Sequence, residues 1–192
     1  MKLQNKLLKK FTKKELWLNL SAIYGDDENK MRNMIKTCLK IYPINGKKIA
    51  IESGTFHGVS TALLADYFDE IHTFEIENGY VKDKMLHYKI WEYLGINNKI
   101  HFHLIKNDKE KENILKSINY NFGWIDGNHT IGTKIDFKLL KNCGRILFHD
   151  YNTEKAINNK GMWKAVYDYI NSLKENIVKI NEPFVLWIKK EL

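Results

Sequence analysis

Proline is nearly absent from this 192-residue chain: Pro43 and Pro183 are its two. With only 11 glycines beside them, a disordered or linker-rich chain is excluded. Cysteine is as scarce. Cys38 and Cys143 lie far apart, have no metal-ligand spacing and follow no secretory signal, so they read as reduced thiols of a cytoplasmic protein. No apolar run approaches the length of a membrane span. The lysines that interrupt Leu3, Leu7, Leu8 and Phe11 exclude a signal-peptide core. Arginine is the scarcest charge: of 31 basic residues, only Arg32 and Arg145 are arginines. Base reading and bidentate phosphate clamping both favour Arg. The net charge of +8 therefore reads as dispersed, solvated lysine rather than as a nucleic-acid footprint.

What is present is an ordinary core. A hydrophobic fraction of 44%, with five Trp, ten Tyr and nine Phe, suits one well-buried domain of this length. The most informative stretch is KIAIESGTFHGVSTALLA, from Lys48 to Ala65. Ile49-Ala50-Ile51 reads as a buried strand, Glu52 ends it, Gly54 and Gly58 follow, and Ser60-Thr61 opens a helix. Strand, glycine turn and helix bring backbone N–H groups close to a ligand. One glycine allows φ > 0, and the other removes a Cβ that would block the ligand. Ser60 suits a helix cap or a bond to a carboxylate. The pattern is neither G-x-G-x-x-G nor a P-loop. The next strand, Ile71 to Ile76, carries Glu75, 21 positions beyond Gly54, where a βαβ unit grips a nucleoside ribose.

Along the chain, residues 1–46 read as an N-terminal helical cap and 47–192 as one compact unit. Met1 to about Gly25 predicts one or two amphipathic helices with a basic block, and a further helix runs through Met31, Met34, Ile35, Cys38 and Leu39. The basic block suits a solvated face, a substrate lid, a membrane-surface helix or a homo-oligomer contact. Strands at Ile100–Ile105, Phe122–Ile125 and Ile146–Phe148 alternate with helices at 81–94, 109–118, 135–140 and 163–173. A hairpin, 177–180 and 184–188, closes the chain. The expected fold is α/β: a Rossmann-like, seven-stranded, mostly parallel sheet with helices on both faces and a C-terminal antiparallel hairpin. Glu52, Glu75, Asp108, Asp126 and Asp150 then share the edge where strands run out and open α/β sheets bind ligands.

The motifs IESGTFHGVST, IHTFEIE, LGINNKIHFHLIKND, FGWIDGNHT and GRILFHDY, in this order and spacing, resemble the class I S-adenosylmethionine (SAM)-dependent methyltransferases. The likeness is nearest to the catechol O-methyltransferase-like group and the small bacterial sugar and antibiotic O-methyltransferases. The resemblance implies that the loop of Gly54, Phe56, Gly58 and Ser60 receives the methionine part of SAM. It implies that Glu75 bonds the ribose hydroxyls, that Glu52 orders the loop and faces the methionine ammonium, and that Asp108 contacts adenine. His57 occupies a variable position. N-terminal helices often cover the substrate mouth in this family, which makes Trp17 and Tyr24 candidates for substrate contact.

Asp126 and Asp150 match two carboxylates that hold a divalent metal, Mg²⁺ in the usual oxygen-rich set. His129 falls where relatives place a general base, a role neutral-pH imidazole suits. The family's third metal ligand is usually Asn or Asp after the second carboxylate, or Glu before it. Here Tyr151 follows Asp150 and His149 precedes it, which shifts the set toward Zn²⁺, Mn²⁺ or Fe²⁺; Asn152 is an alternative ligand. The implied activity is SAM-dependent O-methyl transfer to a small hydroxylated acceptor, a sugar or glycoside first and a catechol-like phenol second. Two rivals stand beside it: an RNA methyltransferase, and a SAM-binding protein without transfer activity. Against the first, IDGNH replaces the Asn/Asp-Pro-Pro-aromatic motif of amino-directed nucleic-acid enzymes.

Overall fold

The computed structural model describes residues 2–16, 25–77, 86–127, 131–158, 161–173 and 176–190. Seven strands form one sheet: β1 (Ile49–Ser53), β2 (Glu70–Ile76), β3 (Ile100–Ile105), β4 (Phe122–Ile125), β5 (Arg145–Phe148), β6 (Ile177–Asn181) and β7 (Phe184–Ile188). Their spatial order is β3-β2-β1-β4-β5-β7-β6. The first five pair in parallel, and β7 runs antiparallel between β5 and β6. The seven-stranded, mostly parallel layout with its closing hairpin is the one expected from the sequence. Because β1 has β2 on one side and β4 on the other, the direction of winding reverses beside β1. Open α/β sheets bind ligands beside such a reversal, at the strands' carboxyl ends.

Eight α-helices are described: α1 (Leu3–Leu7), α2 (Asp27–Ile41), α3 (Val59–Leu64), α4 (Leu86–Leu94), α5 (Asp108–Leu115), α6 (Ile131–Leu140), α7 (Thr153–Ile157) and α8 (Met162–Ser172). Alternation along each strand sorts the core into two layers. Ala50, Ile71, Trp124, Leu147 and Phe184 pack beneath α1 to α4. Ile51, Phe74, Ile125, Phe148 and Val185 face Leu115 of α5, Phe137 of α6 and Ile170 of α8. With both faces covered, central strands can be apolar at every position, and β7 is buried throughout.

Leucine periodicity predicts one or two helices from Met1 to about Gly25; the first, α1, ends at Leu7, and turns follow as far as Leu16. Thr12 and Glu15 form a reciprocal cap, the Thr12 N–H donating to Glu15 Oε2 (2.7 Å) and the Glu15 N–H to Thr12 Oγ1 (3.1 Å), which starts a new turn and breaks the old one. Residues 17–24, with Trp17 and Tyr24, lie outside the described residues. Fully buried Glu28 of α2 accepts the first N–H groups of α1, from Leu3 (2.7 Å) and Gln4 (3.1 Å). A carboxylate there satisfies donors that a helix start leaves unpaired. The five residues of α7 are too few to give a periodic signal in the sequence. Cys38 and Cys143 are free thiols, and burial pushes both up to about 12.

Candidate functional site

The turn after β1 is held by one buried carboxylate. Glu52 accepts from Ser60 Oγ (2.6 Å), Thr73 Oγ1 (2.6 Å) and Thr61 Oγ1, tying the end of β1 to the start of α3 and to β2. Burial raises the Glu52 carboxyl to about 7, against the pull of its three hydroxyl donors, with the charge of Asp126 adding to the rise. Ser60 thus bonds the carboxylate rather than capping the helix; the cap position is Gly58.

Gly54 and Gly58 both have positive φ, +94° and +68°. The missing side chains make room for the protein itself. A Cβ on Gly54 would sit 2.4 Å from the Asp126 carbonyl oxygen, and one on Gly58 would sit 2.7 Å from the Trp91 ring, whose Nε1 donates to the Gly58 carbonyl. The expectation that one glycine clears space for a ligand is therefore corrected: the end of β4 and the face of α4 fill that space. Phe56, between them, also has positive φ, a strained conformation for an aromatic residue.

Glu75 stands at the carboxyl end of β2, against this turn. Its Oε2 accepts the Phe56 N–H at 2.8 Å and its Oε1 the Ile76 N–H at 3.1 Å. The N–H groups of Gly54 and Gly58 are bonded to the carbonyls of Phe74 and Thr55. The loop is thus preformed by internal bonds; among the described residues each Glu75 oxygen accepts one N–H group, and a carboxylate oxygen can accept a second.

Beside this turn, Asp126 follows β4 and His149-Asp150 follow β5. His149 Nδ1 lies 2.7 Å from Asp126 Oδ1 and 3.4 Å from Asp150 Oδ1. The imidazole is flanked by Trp124 and Phe184. Burial by itself lowers the pKa of His149. The charges of Asp126 and Asp150, the hydrogen bond to Asp126 and the field of Asp27 outweigh it and raise the pKa to about 9. Asp150 adopts φ +62°, which folds the chain back beside His149. Donor atoms of these three residues lie within 4.8 Å of one another, close enough to share a cation.

The structure also sorts the lesser candidates. Tyr151 turns into the core, stacking on Tyr167 and bonding Asn171, away from the carboxylates. Asn152 caps α7, its Oδ1 accepting from Lys155 N at 2.8 Å. Asp108 opens α5 beyond β3, half-buried. His129 lies outside the described residues. Missed from the sequence was a buried group behind the turn. Lys111 Nζ donates to Ser53 Oγ (2.6 Å) and pairs with Asp136, which also accepts from Ser53 Oγ at 2.6 Å. Lys111 sits in a Lys/Glu-rich helix that reads as solvated, so nothing in its pattern marks it as buried.

Strand order and the acidic strand ends form one α/β architecture. Solved structures share it. An O-methyltransferase from Bacillus cereus, in complex with S-adenosylhomocysteine (SAH), superposes with a TM-score of 0.66 at 14% identity, over 98% of this chain and 90% of that one. The O-methyltransferase TomG from Streptomyces achromogenes, in complex with SAM, gives 0.66 at 11% identity, over 98% and 89%. An rRNA methylase from Streptococcus thermophilus gives 0.56 at 17% identity, over 82% and 95%. No protein-family model and no curated protein matches the sequence.

Proposed function

We propose that the chain is a SAM-dependent O-methyltransferase acting on a small hydroxylated acceptor, a sugar or glycoside before a catechol-like phenol. The observation that carries this reading is the position of Glu75: its carboxylate borders the glycine turn, bonded to Phe56 N–H, where a nucleoside's ribose hydroxyls can be gripped. In this reading Gly54, Phe56, Gly58 and Ser60 shape the seat for the methionine part, Glu52 holds that seat rigid, and Asp108 borders the adenine. SAM supplies an electrophilic methyl group for an acceptor oxygen.

On the acceptor side, Asp126 and His129 take the roles of orienting the hydroxyl and receiving its proton. Positioning does most of the work in such a displacement. Asp126, His149 and Asp150 form a donor set of two carboxylates and one imidazole, which fits Mn²⁺, Fe²⁺ or Zn²⁺ better than Mg²⁺. When bound, such a cation supplies a Lewis acid that lowers the pKa of an acceptor hydroxyl.

Both arginines are committed within the fold. Arg32 pairs with Glu28 and Asp66, and Arg145 donates to the carbonyls of Tyr42, Pro43 and Asn121. That supports a small acceptor over RNA. No described helix is long and apolar enough to cross a membrane. The test is a transfer screen with methyl-labelled SAM against sugars, phenols and RNA, with and without chelator. Label in a sugar or phenol is expected. Tight SAM binding with no labelled acceptor would instead favour a non-catalytic SAM-binding protein, and label confined to RNA would favour the nucleic-acid enzyme.

A further inference from the structure

A second cluster of potential ligands lies at the opposite end of the same strands. Glu70 begins β2, and His72 follows two residues on, so both side chains point to one face of the sheet. On the neighbouring strand, His101 is the register partner of His72 and shares that face. His72 Nε2 lies 2.7 Å and His101 Nε2 3.7 Å from Glu70 Oε1. The three ligand atoms lie within 4.8 Å of one another. Two bonds of about 2.0–2.1 Å at a tetrahedral angle put ligand atoms about 3.4 Å apart, and the two distances to Glu70 bracket that value.

The surroundings are arranged as for a ligand set. His72 is buried, and its Nδ1 lies 3.0 Å from His103 Nε2. His101 stacks on His72 and His103 on Phe74, with centroid separations of 4.5 and 4.6 Å, while the near-parallel rings of His72 and His103 lie edge to edge through their hydrogen bond. Stacking fixes the ring planes. Lys47 Nζ holds Glu70 Oε2, which leaves Oε1 turned toward the histidines. A cation at His72 Nε2 requires the His72 proton on Nδ1, donated to His103 Nε2. That is a tautomer shift along the existing bond, and an acceptor behind a ligating histidine is the usual orienting device.

We propose that Glu70, His72 and His101 form a binding site for a first-row divalent cation, Zn²⁺ above all, which clamps the edge strand β3 to β2. One carboxylate with two imidazoles selects Zn²⁺ over Mg²⁺ or Ca²⁺. Half-exposed His101 leaves the fourth position to water. His103 is a positioning residue behind His72. The site does not depend on the methyl-transfer reading, because β2 and β3 carry it at their starting halves and Glu75 sits near the other end.

The test is calorimetric titration of the chelator-stripped full chain with ZnCl₂ in the absence of SAM. His101→Gln is expected to remove one equivalent of bound Zn²⁺ or to weaken it at least about tenfold, and Asp126→Asn to retain that equivalent. His103→Phe is expected to weaken it by about 10- to 100-fold. Zn²⁺ should raise the melting temperature of the unsubstituted chain, and His101→Gln should lose the part of the rise this site supplies. Identical stoichiometry and affinity in His101→Gln, or loss of all Zn²⁺ binding in a folded Asp126→Asn variant, overturns the site.

Discussion

The backbone N–H of Phe56 donates to Oε2 of Glu75 at 2.8 Å, so the glycine turn after β1 and the acidic end of β2 are one unit. A strained aromatic residue at φ +47° is held in place by the carboxylate that the proposed ribose grip uses. Under the proposed function, organising the loop and binding the nucleoside are coupled through one side chain.

Glu75→Gln should separate these roles from folding. The amide oxygen can still accept from Phe56, but a neutral group replaces charge-assisted bonds of about 1.5–3 kcal/mol. SAM and SAH affinity should fall by about tenfold to a hundredfold. Titration calorimetry measures this, with circular dichroism confirming the fold. Unchanged affinity in a folded variant would remove Glu75 from the proposed site.

Much of this arrangement is legible in the sequence because it rests on periodicity and punctuation. β3 and β4 have the bounds their apolar runs predict, and Glu75 lies where its distance from Gly54 places it. The illegible parts are contacts between distant segments. Nothing local distinguishes Lys111 of α5 from its solvated neighbours, and nothing near Gly54 announces that the Asp126 carbonyl will occupy the place of its Cβ. The histidines at 72, 101 and 103 look like scattered surface residues until register pairs β2 with β3. Leu16 and Leu20 continue a helical rhythm that the Thr12–Glu15 cap interrupts at the local level.

His149 gives the fold a pH dependence of definite sign. Its folded-state pKa is raised to about 9 from an ordinary 6.5. The stability it contributes is fully present below about 6.5 and is lost as pH rises through 9. At 1.36 kcal/mol per unit, the loss by pH 10 is about 3 kcal/mol. Denaturant unfolding of chelator-treated protein between pH 6 and 10 should show this decline, and His149→Gln should flatten it. Equal slopes in both proteins would mean that the imidazole is neutral between its carboxylates.

Gly54→Ala tests the close approach of the turn to β4. The new Cβ would meet the Asp126 carbonyl oxygen at 2.4 Å, and backbone cannot rotate away as a side chain can. Left-handed strain of about 1–2 kcal/mol adds to overpacking of about 1–3 kcal/mol. A stability loss of about 2–5 kcal/mol is expected in denaturant melts, along with weakened SAM binding. A loss below about 1 kcal/mol would show that the turn relaxes without cost.

The ion pair behind the turn offers the sharpest contrast between single and paired substitution. Lys111 and Asp136 are both nearly inaccessible, and Ser53 Oγ bonds to each. Lys111→Met leaves Asp136 buried without its cation, which costs about 3–5 kcal/mol. Desolvating two charges offsets most of their attraction, so Lys111→Met with Asp136→Leu should recover most of that loss. Urea unfolding of the two single variants and the double variant gives the coupling energy directly. Strong coupling with near-wild-type stability of the double variant would mean that the pair contributes little net stability. Weakened SAM binding in that stable double variant would then show that the pair positions Ser53, and through it the turn, rather than supporting the fold.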